Sequence, residues 1–242
     1  MRRWACGPLG SALVGIVAVP VAPASAAAAW GGSVALASDD VFRGASQSEH
    51  AAVAQADAHW RSPEGWFVGA WATSIGAQRA TFGDCELDLY GGRGWLLGER
   101  AVASLRYRRY TYPTSAQGRR YDADEIAAAL EFDDRLVLSA AASPDASRYV
   151  GAGWALRRRT YAYEASLRQP LTQDLAFVAS AGLYDTRDLY GASYRAWSAG
   201  LAGKAGPLDI GLVRFGVDAA ARRIFRGDSA QGRWALSAAW RY

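Results

Sequence analysis

The sequence predicts an all-β protein, a transmembrane antiparallel up-and-down β-barrel of about twelve strands, with ten to fourteen kept open. Three observations lead to it. The chain begins with a short apolar segment, contains no later apolar run long enough for a transmembrane helix, and repeats segments of about ten residues in which apolar and polar side chains alternate. The mean hydropathy is −0.09 although 51% of the residues are hydrophobic. A chain with one lipid-facing side and one polar side averages to such a value.

The N-terminus has the three parts of a secretory signal peptide. Arg2 and Arg3 form a basic segment, an apolar run extends from Leu9 to Val21, and Ala24-Ser25-Ala26 supplies small residues for cleavage. We therefore expect residues 1–26 to be a signal peptide and residues 27–242 to form the barrel. The expected location is the cell outer membrane, with its lipid as the surrounding partner.

Charge and cysteine content exclude some functions. Loss of Arg2 and Arg3 lowers the net charge from +4 to +2, because 25 basic residues then face 23 acidic ones, and so weak a charge argues against nucleic-acid binding. Cys6 is lost with the signal peptide, which leaves Cys85 without a disulfide partner. Lys204 is the only lysine, so nearly every positive charge is an arginine that can bind a carboxylate through two hydrogen bonds.

Twelve segments with a period of two are the expected strands. Their approximate ranges are 30–38, 51–60, 66–75, 84–92, 101–111, 121–132, 135–142, 157–168, 174–184, 192–203, 208–218 and 231–242. The registers of 66–75 and 208–218 are ambiguous, because both faces carry apolar residues, and a bulge is plausible in either.

The last segment shows the alternation most clearly. Trp234, Leu236, Ala238, Trp240 and Tyr242 share one face. Tryptophan and tyrosine prefer the two interfaces of a bilayer, so this face is expected to meet lipid, with Trp234 near the outer interface and Trp240 and Tyr242 near the inner one. The same strand is the expected signal for the barrel-assembly machinery.

The connections between segments alternate in length, as they do in outer-membrane barrels, where short turns are periplasmic and long loops are extracellular. The expected loops include 39–50 and 143–156; the second contains Tyr149 and Trp154, which are read as an aromatic belt rather than a recognition tip. The glycines of Gly91-Gly92-Arg93-Gly94 are expected to ease a periplasmic turn. With an even number of strands, both termini lie on the periplasmic side.

The alternation also predicts a charged interior of nearly balanced sign. Glu86 and Asp88 are expected beside Arg106 and Arg108, which in turn face Glu125, in a ladder across three strands. Two hypotheses remain open: the ion pairs only hold the shape of the barrel, or they line a path for small polar or anionic solutes. The residues expected to line the interior are Arg106, Arg108, Glu86, Asp88, Glu125, Arg158, Glu164, Arg168, Arg233 and Arg241.

Residues 34–48, VALASDDVFRGASQS, resemble the bacterial Gcw_chp family, whose members are also called TorF-type porin candidates. The residues that carry the motif are Ser38, Arg43, Gly44, Ser46 and Gln47, and weaker similarity continues at 65–74, 86–92 and 107–113. Asp40 departs from the family, which has an aromatic residue there. The resemblance implies an outer-membrane barrel and a porin role; it implies no catalytic residue.

Other functions have less support. A closed structural or adhesive barrel that acts through its extracellular loops is the main alternative, and a lipid-modifying enzyme is the second. Only His50 and His59 are available for acid–base chemistry, and Asp57 could orient His59, but the sequence places no serine beside it. Two histidines and one cysteine make no recognised metal-ligand spacing, so neither a metal nor another cofactor is expected, and the chain is not expected to be an enzyme.

Overall fold

The structure is a computed structural model that describes residues 28–75, 85–113, 118–151, 154–225 and 227–242. The described residues form one closed antiparallel barrel of twelve strands and a separate two-stranded hairpin. In chain order the strands are β1 Ala29–Ala37, β2 Val41–Phe42, β3 Ala45–Ser46, β4 Val53–Arg61, β5 Trp66–Ser74, β6 Cys85–Leu96, β7 Ala101–Thr111, β8 Ala123–Phe132, β9 Leu136–Gly151, β10 Trp154–Pro170, β11 Leu175–Asp185, β12 Tyr194–Ala205, β13 Leu208–Val217 and β14 Arg233–Arg241. All of them except β2 and β3 belong to the wall, and β14 pairs with β1 to close it.

The twelve predicted strands are confirmed, and so is the alternation of their side chains. In β14 the exposed fractions of Trp234, Leu236 and Trp240 are 59%, 54% and 46%, whereas Arg233 and Ser237 are 7% and 3% exposed. In β14 the outer face is therefore apolar and the inner face carries the charged and hydroxyl side chains, the alternation that is expected of a membrane strand. Tyr242, 63% exposed, lies beside Trp240 with the ring centroids 5.4 Å apart.

Short connections join the strands at the end where β1 begins and β14 finishes, which we call the turn end. They comprise residues 62–65, 97–100, 133–135, 171–174 and 206–207. The opposite, loop end carries the longer connections, including helices α1 Arg187–Tyr190 and α2 Ala219–Ile224. Among the described residues no helix has the length and apolar character needed to cross a membrane, a finding that does not bear on strands.

The expectation that Gly91 to Gly94 form a turn is wrong, because these residues lie inside β6. Glycine is required there for packing. A Cβ atom at Gly92 would lie 2.2 Å from the Leu105 carbonyl oxygen and 2.6 Å from the Phe67 ring. The backbone N–H of Gly94 donates to the Gly65 carbonyl across the neighbouring strand at 3.0 Å. The strand therefore continues through the glycines to Leu96.

The loop 143–156 is also predicted wrongly. Residues 143–151 and 154–156 extend β9 and β10 into a two-stranded ribbon beyond the wall, since β8 pairs with β9 only up to Ala142 and β11 pairs with β10 only from Tyr161. A register shift between Arg158 and Thr160 marks the point where the ribbon begins. The side chains of Tyr149 and Trp154 lie outside the described residues. No shift occurs in the two strands whose registers are ambiguous in the sequence, β5 and β13.

The largest departure from the prediction is the first loop. Residues 39–48 fold into the barrel, where β2 and β3 form a hairpin that we call the inner hairpin, whereas Glu49 and His50 are exposed. Val41 is 5% exposed and packs against Val213, Phe215 and Ala235 of the wall. The inner hairpin therefore occupies interior space at the loop end that the sequence assigns to an extracellular loop.

Replacing Gly92 by alanine is expected to destabilise the barrel by about 1 to 3 kcal/mol, the usual cost of overpacking, because its Cβ atom has no room against backbone. Urea titration of the refolded protein measures the loss. Gly91→Ala is the matched control, since its Cβ atom would meet its neighbours at 3.4 Å or more, an ordinary contact distance. Equal unfolding midpoints for the two variants would contradict this account.

Candidate functional site

Charged side chains of β6, β7 and β8 meet inside the barrel near the loop end. Asp88, Arg108 and Glu125 are 0%, 3% and 4% exposed. The Arg108 Nη1 group donates to Asp88 Oδ2 at 3.1 Å, which gives one step of the predicted ladder. Glu86 is also buried, 8% exposed, and points to the same side as Asp88. A pair buried to this degree is expensive to break, because removing one partner leaves the other charge without compensation.

The second step of the ladder differs from the prediction. Glu125 lies directly opposite Arg108 in the register of β7 and β8, yet its carboxylate pairs with Arg43 of the inner hairpin. The Arg43 Nη2 group donates to Glu125 Oε2 at 2.6 Å, and the Tyr110 hydroxyl donates to Oε1 at 3.2 Å. Arg106, expected in the ladder, lies opposite Gly92 and Ala127 instead.

Arg43 occupies the tip of the inner hairpin. Phe42 pairs with Ala45, so Arg43 and Gly44 form a two-residue turn, with φ of 50° and 83°. A type I′ turn needs positive φ at both positions, which costs a non-glycine residue about 1 to 3 kcal/mol. The guanidinium group lies over the Phe42 ring at 4.7 Å and over the Tyr184 ring at 5.6 Å. These contacts, with the Glu125 ion pair, hold the arginine in the strained conformation.

The base of the inner hairpin is held by Asp39. Its Oδ1 atom accepts hydrogen bonds from the hydroxyls of Ser46 at 2.6 Å and Ser48 at 2.9 Å, and its Oδ2 atom accepts one from Arg233 Nη1 at 3.0 Å. The ion pair is almost fully buried, with side-chain exposures of 4% and 6%. Arg233, predicted as an interior residue of β14, is therefore a structural anchor.

The remaining motif residues complete the base. The backbone N–H of Gln47 donates to the Asp40 carbonyl at 2.7 Å, and the Asp40 N–H donates to the Ser48 hydroxyl at 3.0 Å. Ser38 accepts from the Leu236 N–H at 3.0 Å and so extends the pairing of β1 with β14. The segment that resembles a family motif is thus the inner hairpin itself and its attachment to the wall.

The other predicted interior residues lie apart from this cluster. Glu164 accepts a hydrogen bond from the Tyr184 hydroxyl at 2.7 Å, while Arg168 lies on the same face of β10 further toward the turn end. Arg241 pairs with Asp209 of the adjacent strand at 3.2 Å. The placement of Arg158 differs from the prediction, because this residue lies on the β9–β10 ribbon beyond the closed wall and its side chain is exposed.

His59 lies on the inner face of β4 in the half of the barrel near the turn end. Its Nδ1 atom is 2.6 Å from Asp57 Oδ1, and the Tyr90 hydroxyl donates to the other oxygen of that carboxylate at 2.6 Å. The pair faces the interior rather than the lipid, and the hydrogen bonds of the described residues join no serine to His59. His50 lies at the base of the inner hairpin, 3.0 Å from Arg233 Nη1. The described residues contain no group of three or more ligands arranged for a metal ion.

Sequence comparison identifies the family. Residues 21–237 match a family described as a bacterial protein of unknown function, Gcw_chp. This chain belongs to the Gcw_chp family. The resemblance carried by the inner hairpin motif is thereby confirmed. A search among curated proteins found no relative of this Gcw_chp chain.

Several solved structures share the fold of this Gcw_chp chain at low sequence identity. The NanC porin aligns with a TM-score of 0.57 and 12% identity over 87% of this chain and 98% of its own. The KdgM porin aligns with a TM-score of 0.52 and 7% identity over the same shares of the two chains. An outer-membrane channel from Pseudomonas putida F1 aligns with a TM-score of 0.50 and 7% identity over 89% of this chain and 95% of its own. At these identities the likeness establishes the barrel fold alone.

Replacing Arg233 by methionine in the Gcw_chp chain is expected to cost about 3 kcal/mol or more, because the Asp39 carboxylate is left buried without its ion-pair partner. Arg241→Met is the matched control on the same face of β14. That arginine is 18% exposed and its partner Asp209 is 27% exposed, so its loss should cost about 1 kcal/mol or less. Urea unfolding measures both variants, and comparable losses would show that Asp39 does not depend on Arg233.

Proposed function

We propose that this Gcw_chp protein is an outer-membrane channel for passive diffusion of small polar solutes, including anionic ones. The observation that carries the proposal is the polar inner wall on the turn-end side of the inner hairpin, which bears arginines from three strands. Arg61 of β4, Arg106 of β7 and Arg168 of β10 all lie on inner faces. An arginine-lined interior exchanges part of the hydration of an anion for guanidinium hydrogen bonds.

The apolar outer face and the size of the wall support a membrane channel. A barrel of twelve strands lies between small barrels that side chains fill and large porins with wide aqueous channels. The outer faces carry exposed aromatic residues near both ends, among them Trp66 and Trp234, where lipid interfaces would lie. The barrel fold shared with the NanC and KdgM porins and with the Pseudomonas putida F1 channel adds support for the same class.

Location in the outer membrane is part of the proposal, with the outer-membrane lipid as the surrounding partner. Recognition of β14 by the barrel-assembly machinery stays a prediction, based on the aromatic residue Tyr242 that follows the strand. Fractionation of cells that express the full chain tests the location. Recovery in the soluble periplasmic fraction would contradict it.

Single-channel recording of the refolded protein tests the function. A panel of small inorganic anions, cations and neutral sugars, each offered under a concentration gradient, gives conductance and selectivity. Discrete current steps with a reversal potential that favours anions would support the proposal. Absence of current with every member of the panel would overturn it.

A closed structural or adhesive barrel is the second candidate, and one observation favours it. The inner hairpin and its partners bury Asp88 and Arg108 almost completely, so the interior near the loop end is tightly filled. If this packing never opens, function must lie in the surface of the loop end, where the β9–β10 ribbon and the helices α1 and α2 are found. Absence of current from a correctly folded barrel would favour this candidate.

Replacing Arg106 and Arg61 by methionine is expected to shift the reversal potential in a potassium chloride gradient toward cation selectivity, because two positive charges leave the inner wall. Arg187→Met is the control, since this arginine lies in α1 at the loop end with its side chain 71% exposed. The control should leave selectivity unchanged. A double variant that conducts with the reversal potential of the unmodified protein would contradict the lining role of these arginines.

A further inference from the structure

Arg108 has bonding capacity that its surroundings do not use. Its Nη1 group is bonded to Asp88, but its Nε and Nη2 groups are buried and have no hydrogen-bond partner among the described residues. These two groups form the edge of the guanidinium that binds a carboxylate through two parallel hydrogen bonds. A buried donor left without a partner is costly, so the arrangement favours a second state in which this edge is occupied.

A candidate to occupy that edge is Glu125. It lies directly opposite Arg108 on the adjacent strand, where side chains of an antiparallel pair are close enough to touch. Its Oε2 atom is instead taken by Arg43. A rotation of the Glu125 side chain therefore exchanges one arginine partner for the other, with no change in the wall.

An external anion is a poorer candidate for the Arg108 edge. Glu86, Asp88 and Glu125 are all buried around it, and Asp40 of the inner hairpin interacts electrostatically with Glu86. Four carboxylates thus share this region with the guanidinium groups of Arg43, Arg106 and Arg108. An anion bound at this edge would add a fifth negative charge beside three guanidinium groups, whereas Glu125 is already present and brings no new charge.

The two ends of the inner hairpin are held very differently. At the base, the Asp39 carboxylate accepts from two serines and one arginine, and Val41 packs in an apolar cluster. At the tip, Arg43 has one ion pair and lies over the Phe42 and Tyr184 rings, Ala45 is buried, and the turn stores backbone strain because φ of Arg43 is 50°. Loss of the Glu125 contact would remove the ion pair that opposes that strain. The tip can therefore leave its position while the base stays attached.

We propose that Glu125 is a latch carboxylate shared between two arginines: bound to Arg43 it holds the tip of the inner hairpin across the interior, and bound to Arg108 it lets the tip withdraw. The inference rests on the proposed channel function, because withdrawal of the tip is what widens the solute path. Glu125 is paired with a guanidinium group in both states, so neither state requires a change of net charge. The hairpin is a two-state element whose population this one side chain sets.

Thiol labelling tests the latch without requiring conduction. Cys6→Ser and Cys85→Ser remove the native thiols, and Ala45→Cys, at a position that is 4% exposed, reports whether the tip is withdrawn. A small neutral methanethiosulfonate reagent is applied to the refolded barrel. Glu125→Gln and Arg43→Met should each raise the labelling rate at least tenfold, and their combination should add nothing further, because both remove the same contact.

The alternative partner is tested by a charge-balanced pair of substitutions. Arg108→Met with Asp88→Asn removes the second arginine donor that is available to Glu125 and also removes the carboxylate that Arg108 neutralises, which limits the effect on folding. This variant should label more slowly than the parent. Glu131→Gln is the matched control, since Glu131 lies on the same face of β8, nearer the turn end, and it should label at the parent rate.

Each result decides the inference. Labelling that is unchanged in both Glu125→Gln and Arg43→Met would overturn it, and so would an Arg108→Met/Asp88→Asn barrel that labels no more slowly than the parent. Heat-modifiable migration on gels verifies that every variant is folded; if Glu125→Gln fails to fold, Arg43→Met alone decides. The expected labelling pattern in a barrel that passes no current would retain the latch and overturn the channel function. Current through a barrel whose labelling is unchanged in the variants would retain the channel function and overturn the latch.

Discussion

The Asp39 carboxylate is the group on which the interior of this barrel depends. It lies immediately after β1, and three donors converge on it from the hairpin and from β14: the hydroxyls of Ser46 and Ser48 and the guanidinium of Arg233. An ionised carboxylate can stay buried only when its acceptor sites are filled in this way. Because these donors come from the wall and from the returning strand of the hairpin, the first loop has to turn inward as soon as β1 ends.

The inward turn determines how the charges of the wall are paired. Glu125 and Arg108 are register neighbours and would form a simple cross-strand ion pair in a barrel without the hairpin. Arg43 binds the glutamate instead, and the Nε and Nη2 edge of the Arg108 guanidinium has no hydrogen-bond partner among the described residues. The local arrangement around Arg108 is therefore a consequence of a segment more than sixty residues away in the sequence.

The sequence predicts the wall well because lipid imposes a simple rule on every strand. Leu89 faces out and Asp88 faces in, and the same period of two holds along β14. The alternation applies only to the strand residues that form the closed wall. The sequence does not predict the ribbon of β9 and β10, because residues 143–151 lie beyond the closed wall and show no regular alternation. Pro144 is typical of a loop, yet β9 tolerates it because β8 no longer pairs with β9 at that point.

The sequence does not predict the inner hairpin either, and the reason is different. Its aspartates, serines and glutamine have the composition of a solvated loop, and only their mutual hydrogen bonds, which composition does not reveal, allow them to be buried. A signal was nevertheless present. Val41, Phe42 and Ala45 are apolar residues on both sides of Arg43-Gly44, the pattern of a tight hairpin that buries one face. The predicted ladder is confirmed between Asp88 and Arg108 but not between Arg108 and Glu125, because the prediction considers only the strands of the wall and not the inner hairpin.

Arginine suits the tip better than lysine would, because the side chain there contacts two aromatic rings and also donates to a carboxylate. Its planar guanidinium lies over the Phe42 and Tyr184 rings and still directs an N–H to Glu125, which a compact ammonium group could not do as well. The same delocalised charge is weakly hydrated, so moving it between the interior and water costs less than moving an ammonium group. A residue that must be stable in both places, at the end of a strained turn, is therefore better served by Arg43 than by lysine, and the tip can exchange between two positions while the base remains fixed by Asp39.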